Sequence, residues 1–131
     1  HARVDDAHRG AGVVDEKDRA ARLEDVVVVA GGAQTAVEHL TRDGLDGFFI
    51  HVDADVLNDG IMPAVDYRLP DGFSWDELER TLKIAIASGK AVGIEVTIYN
   101  PSLDEDGTAG RALTGALKKA LGGLQPPFIT L

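Results

Sequence analysis

A chain of 131 residues is long enough for one domain with a real core, and its 44% hydrophobic and 27% charged composition is that of a globular protein rather than a disordered one. With 13 basic against 22 acidic side chains the net charge is −9; without any basic cluster, this makes a poor partner for nucleic acid and a better one for a cation. No apolar run approaches a membrane span, the first 25 residues are too polar for a secretory signal, and the absence of cysteine removes disulfides, thiolate metal sites and thiol nucleophiles, all of which fits a cytoplasmic protein.

Residues 1–25 are charged and Gly-interrupted, with helical spacing across Glu16–Leu23. Val26–Ala30 is a β-branched run closed by Gly31-Gly32, which reads as a buried strand or a strand-to-helix junction. Thr35–Arg42 places Ala36, Val37 and Leu40 at helical spacing, with a stop near Gly44. Gly47–Val52 is continuously apolar apart from His51, the pattern of a strand covered on both faces, and it runs straight into Asp53-Ala54-Asp55. Residues 56–73 hold no period but carry Asn58-Asp59-Gly60, Pro63, Pro70 and Asp71-Gly72, so a long structured loop is expected. Ser74-Trp75-Asp76-Glu77 is a capping box opening a helix with Leu78, Leu82, Ala85 and Ile86 on one face. Ala91–Ile98 reads as another strand broken at Asn100-Pro101, and Thr108–Ala120 as a last helix stopped by Gly122-Gly123. This alternation predicts an α/β fold: a three-layer αβα arrangement around a mostly parallel sheet, in a single domain over residues 1–131.

Functional groups in a parallel sheet gather at the carboxyl ends of the strands, where Asp53 and Asp55 stand. Residues two apart on a strand share a face at about 6.6 Å, and carboxylates that close repel unless protons or a cation lie between them. A divalent ion pair would be bridged well by such groups; the blander reading makes them turn-formers or helix caps. His51 shares that face, as a third ligand, a supporting contact or a packed histidine. Glu95, in the middle of a strand, needs a partner, either in the same crevice or on a neighbouring element. Asp104, Glu105 and Asp106 read as a solvated charge run with Asp106 or Thr108 capping the last helix, and Trp75 as packing.

Two families place Asp-x-Asp after an apolar strand. Asp53-Ala54-Asp55-Val56-Leu57 matches the short haloacid-dehalogenase-like phosphatase pattern, which would make Asp53 a phosphate-accepting nucleophile, although that motif normally opens its domain and here 52 residues precede it. The longer match is HVDADVLNDGIMPAVDYRLPDGFSWDEL followed by VGIEVTIYNPSLD, which resembles the ureohydrolases (arginase, agmatinase and relatives) over about residues 47–121. That resemblance implies an arginase-like α/β fold and a small-molecule substrate. It also implies two Mn²⁺ ions, with Asp53 and Asp55 among their ligands, that activate a water to attack a guanidino or amidino carbon, and it suggests a homo-oligomer. His51, Glu95 and Asp66 are then candidates for supporting the ligands or touching substrate.

Three departures shape the expectation. The family's upstream G-G-D-H and D-A-H-x-D ligand segments are missing; Asp6-Ala7-His8 echoes the second, but Gly10 stands where its last Asp belongs. Ile98 occupies the position of the Glu that contacts the guanidinium, and Asp66, Tyr67 and Arg68 bring charge and bulk to a loop that is small in the family. Together with a start at His1, these features predict the C-terminal portion of a divergent ureohydrolase, with part of the active site supplied from elsewhere. A non-catalytic protein that kept the arginase fold is the alternative to an enzyme, beside the phosphatase reading.

Overall fold

The computed structural model describes residues 30–42 and 44–122. The expected helix at Glu16–Leu23 and most of the Val26–Ala30 strand lie outside them. Residues 30–40 are helical (helix α1), so Ala30 and the two following glycines lie in a helix, which the strand-to-helix reading of this junction allows and the buried-strand reading does not. Strand β1 (Phe48–Asp53) and a single 3₁₀ turn (Ala54–Val56) follow. Helix α2 (Trp75–Ala87), strand β2 (Ala91–Thr97), a second 3₁₀ turn (Pro101–Leu103) and helix α3 (Thr108–Leu121) complete the described chain.

β1, α2 and β2 form a βαβ unit whose strands pair in parallel, with Ile50 opposite Ile94, His51 opposite Glu95, Val52 opposite Val96 and Asp53 opposite Thr97. Strand geometry turns alternate residues to opposite faces. Val52 is buried, and Ile50 and Ile94 pack against the core beneath it, whereas Phe49, His51 and Glu95 on the other face are exposed. The expectation of burial on both faces therefore fails among the described residues; one face is covered and the other is open. The Phe49 ring lies over Gly93, so close that a Cβ there would clash with it.

The unperiodic segment after β1 supplies the largest fully buried side chains among the described residues, Leu57, Met62 and Val65. Leu57, Met62, Ala64 and Val65 sit in the core with Leu78 and Leu82 of α2 and Ala109, Leu113 and Ala120 of α3. A loop can run through a core only if its backbone is paired. Here Asn58 N–H donates to the Phe73 carbonyl, Phe73 N–H to the Val56 carbonyl, and Leu57 bridges Phe73 in parallel. Gly72 is required at this crossing, since a Cβ there would meet the Leu57 carbonyl carbon at 2.5 Å.

α2 starts as the capping box predicts: Ser74 Oγ accepts from Glu77 N–H, and the Glu77 carboxylate accepts from Ser74 N–H at 2.7 Å. Trp75 packs against the core. Glu79 accepts from Lys83 one turn on at 2.6 Å and faces Lys119 of α3 at 3.7 Å; the first contact above all holds its carboxyl below the ordinary range. Asp106 caps α3 through Thr108 N–H, as expected, but Asp104 is not a solvated charge. Its carboxylate accepts from Ala109 N–H, Gly110 N–H and the Tyr99 hydroxyl, so it spends both oxygens on the start of α3.

Candidate functional site

The site begins where β1 ends. Asp53 is the last residue of the strand and the N-cap of the 3₁₀ turn, so Asp53 and Asp55 leave the sheet at its carboxyl end. An aspartate at an N-cap ordinarily accepts a backbone N–H. Asp53 makes no such bond, and its Oδ1 is buried with no hydrogen-bond partner. An unpaired buried carboxylate oxygen is costly, so it must be matched by something that is not a protein donor among the described residues. Asp55 carries the other half of the problem. Partial burial first, then the Asp53 carboxylate as a charge and as a hydrogen-bond partner, push its carboxyl above the ordinary aspartate range.

The donor set is two carboxylates, hard oxygen ligands suited to Mg²⁺, Mn²⁺ or Ca²⁺. A cation between them would relieve both the orphaned oxygen and the raised carboxyl, so the residues present fit a metal. Among the described residues, however, no group of three or more His, Asp or Glu side chains is placed to hold one, so these two would form part of a coordination shell.

His51 and Glu95, separated by 44 positions, meet across the strand pair: Nδ1 of His51 lies 2.7 Å from Oε1 of Glu95. Glu95 thus finds its partner on the neighbouring strand, and its carboxylate is not buried; the two side chains are 53% and 54% exposed. With Nδ1 facing the carboxylate, Nε2 is turned to the Thr97 hydroxyl at 3.3 Å, and Thr97 is the register partner of Asp53. A polar row, Glu95–His51–Thr97, therefore runs along the open face towards Asp53. Thr97 carries no sequence signal, because only the strand register reveals it.

Asp66 is tied to the end of β2. Its Oδ1 accepts from Asn100 Nδ2 at 2.8 Å, while Asn100 N–H donates to the Ala64 carbonyl and Asn100 Oδ1 accepts from Ser102 N–H. Asn100 is thus the hinge pin between the buried loop and the β2–α3 turn, a role for which the Asn-Pro-Ser run was the available signal. Between Thr97 and this pin, Ile98 is held at φ 69°, a left-handed conformation that a β-branched residue adopts only under constraint. The anchored side chains of Tyr99 and Asn100 supply that constraint, and Ile98 is left 47% exposed at the carboxyl end of the sheet.

Comparison with known proteins places this geometry. A profile of the Arginase family matches residues 15–121. The chain belongs to the arginase family. Within it, the chain is 33% identical over 90 residues to formimidoylglutamase of Bacillus subtilis strain 168, covering 68% of this chain and 28% of that protein. It is also 31% identical over 96 residues to formimidoylglutamase of Salmonella newport, covering 71% and 31%. In three dimensions it is similar to the crystal structure of the Bacillus subtilis formimidoylglutamase, with a TM-score of 0.58 at 29% identity over 85% of this chain and 32% of that one. A Bacillus subtilis arginase superposes with a TM-score of 0.66 at 21% identity over 89% and 43%, which establishes the shared fold. This arginase-family chain thus spans about a third of the length of the curated relatives it matches. The family match also sets aside the phosphatase reading of Asp53. Among the described residues no helix is long and apolar enough to cross a membrane.

Proposed function

We propose that this chain is the metal-carboxylate portion of a Mn²⁺-dependent hydrolase that cleaves a C–N bond of an amidino or guanidino compound. Asp53 and Asp55 would be ligands, and the remaining ligands would come from polypeptide not described here. The observation that carries this reading is the buried, unpartnered Oδ1 of Asp53 beside the raised carboxyl of Asp55. When bound, two such ions supply a nucleophilic water at neutral pH. The chain's own residues then do the holding. The 3₁₀ turn fixes both carboxylates at the sheet edge, the Glu95–His51 pair and Thr97 line the approach to Asp53, and the Asp66–Asn100 bond fixes the loop beside them.

The substrate reading takes Ile98 together with the named relatives. Where the family resemblance expects a carboxylate facing a guanidinium, this chain presents an exposed, apolar side chain, which offers a cation no charge partner. An amidine of the kind for which the formimidoylglutamase relatives are named is the substrate class those relatives suggest; it too is a cation at neutral pH, so its charge partner would come from a residue other than Ile98. The test is metal content: the intact protein, with the polypeptide that supplies the remaining ligands, is loaded with MnCl₂ and dialysed, and bound metal is measured for wild type and Asp53→Ala. Stoichiometric Mn²⁺ in the wild type, lost in the variant, is expected; equal metal in both contradicts the assignment.

A further inference from the structure

With Ile98 apolar, an amidinium in the proposed site needs an anion from another residue. The segment that carries Ile98 is joined to one. Asn100 N–H donates to the Ala64 carbonyl at 2.8 Å and Asn100 Nδ2 to Asp66 Oδ1 at 2.8 Å, so the stretch from Ala64 to Asp66 lies against the turn that leaves β2. Ala64 and Val65 are buried, which fixes the backbone behind Asp66, and Asp66 emerges directly after them. The Asn100 amide is not free to turn over. Its Oδ1 takes the Ser102 N–H at 3.0 Å, so its amino end faces Asp66. A carboxylate offers about four acceptor positions, and Asn100 occupies one. Among the described residues no cationic side chain pairs with Asp66, whereas other carboxylates are engaged: Asp59 lies 3.8 Å from Arg68, Asp104 and Asp106 hold the start of α3, and Glu95 faces His51.

We infer that Asp66 is the anion that receives the amidinium of the substrate, a specificity-determining residue set in place by Asn100; this rests on the hydrolase reading above. Thr97 ends β2 opposite Asp53, and Asn100 follows three residues later. Three residues of chain span at most about 10 Å, and paired strands lie about 4.8 Å apart. Asn100 is therefore within about 15 Å of Asp53, and the carboxylate bonded to its side chain belongs to the same end of the sheet as the two proposed ligands. An amidinium presents N–H groups side by side, and a carboxylate accepts two such donors together. Oδ1 keeps a lone pair beyond the one that Asn100 uses, so the Asn100 bond and the amidinium do not compete. A neutral amide of the same shape puts an oxygen where one of those donors would be, and it would meet the carboxylate as a second acceptor.

The test uses the intact protein, with the polypeptide that supplies the remaining ligands, and a pair of small probes of one shape: acetamidine, a cation at neutral pH, and acetamide, which is neutral. Calorimetric titration should show the wild type binding acetamidine at least about tenfold more tightly than acetamide. Asp66→Asn keeps an oxygen for Asn100 and removes only the charge. It should abolish that preference while bound Mn²⁺ and the melting temperature stay as they were, and Asp66→Glu, which returns the charge, should recover part of it. The inference is overturned if the wild type shows no preference, if Asp66→Asn retains it, or if Asp66→Asn weakens both probes alike, as a purely structural role would. A preference that depends on Asp66 in a protein holding no Mn²⁺ upholds the anion site and defeats the metal reading. Retained Mn²⁺ with a preference indifferent to Asp66, or one lost instead in Glu95→Gln, upholds the metal reading and overturns this inference.

Discussion

The chain writes Asp-x-Asp twice, as Asp53-Ala54-Asp55 after β1 and as Asp104-Glu105-Asp106 before α3, and the two copies have opposite electrostatics. In the second, Asp104 and Asp106 accept backbone N–H groups at the start of a helix, and those bonds hold both carboxyls below the ordinary range. In the first, Asp53 sits at a cap position without taking the cap bond, and Asp55 is pushed upward. The difference lies in what the backbone offers. A helix N-terminus presents several free N–H donors to an anion, whereas the single 3₁₀ turn after β1 leaves the carboxylates to each other. One motif is spent on structure, and the other, on the function proposed above, is left for a ligand.

The strongest way to break the contrast is substitution at each site. Asp53→Ala should lower Mn²⁺ affinity more than about 100-fold, beyond the effect of losing a contact that only supports a ligand, and should leave the melting temperature of the metal-free protein unchanged or higher. Asp104→Ala should do the reverse, lowering the melting temperature by several degrees while metal affinity, followed by calorimetry, stays put. Loss of metal binding in the Asp104 variant would dissolve the distinction.

Next in size is pH. The lowered carboxyls of Asp104 and Asp106 contribute stability that is fully present above the ordinary aspartate range and lost as pH falls through their folded values, below about 4. Asp55 works in the other sense. With a folded value raised above the unfolded one, its contribution is present in acid and is lost as pH rises from the ordinary range through the raised value. Metal-free Asp55→Asn should therefore gain stability over wild type as pH rises from about 4 towards neutrality, with melting curves across that range as the check. A constant difference would show that neither burial nor the Asp53 carboxylate raises the Asp55 carboxyl in the fold.

A smaller effect calibrates the helix side. Ser74→Ala removes the hydroxyl's half of the α2 capping box, its bonds with Glu77 N–H and the Glu77 carboxylate, and should cost about 1 kcal/mol by denaturant titration. Ile98→Gly should change stability by less than about 1 kcal/mol, because relief of the left-handed φ offsets the lost side chain and the added freedom of the unfolded chain.

Much of this was legible in sequence where the signal is local. The capping box fixed the start of α2, Asn100-Pro101 ended β2, and the apolar run before Asp53 located β1 to within a residue. The carboxylate pair was legible because two acids straddling the end of an apolar strand are few residues apart. What failed to show needed pairing in space. Glu95 finds His51 only through the strand register, and Asp66 finds Asn100 only once the loop folds back on β2. Burial misled in both directions: the unperiodic Leu57–Val65 segment is core because its backbone is paired by Phe73 and Asn58, while the apolar β1 has an open face. The charge run at Asp104 looked solvated because Gly110 and Tyr99, its donors, lie on either side of it along the chain.

The most direct test of the central claim follows all four aspartates at once. Carbon-detected NMR of the carboxyl signals during titration with substoichiometric MnCl₂ reads the distance of each group from the paramagnetic ion. The account predicts that Asp53 and Asp55 broaden first and together while Asp104 and Asp106 remain sharp; equal broadening of both pairs, or earlier loss of Asp104 and Asp106, would contradict it.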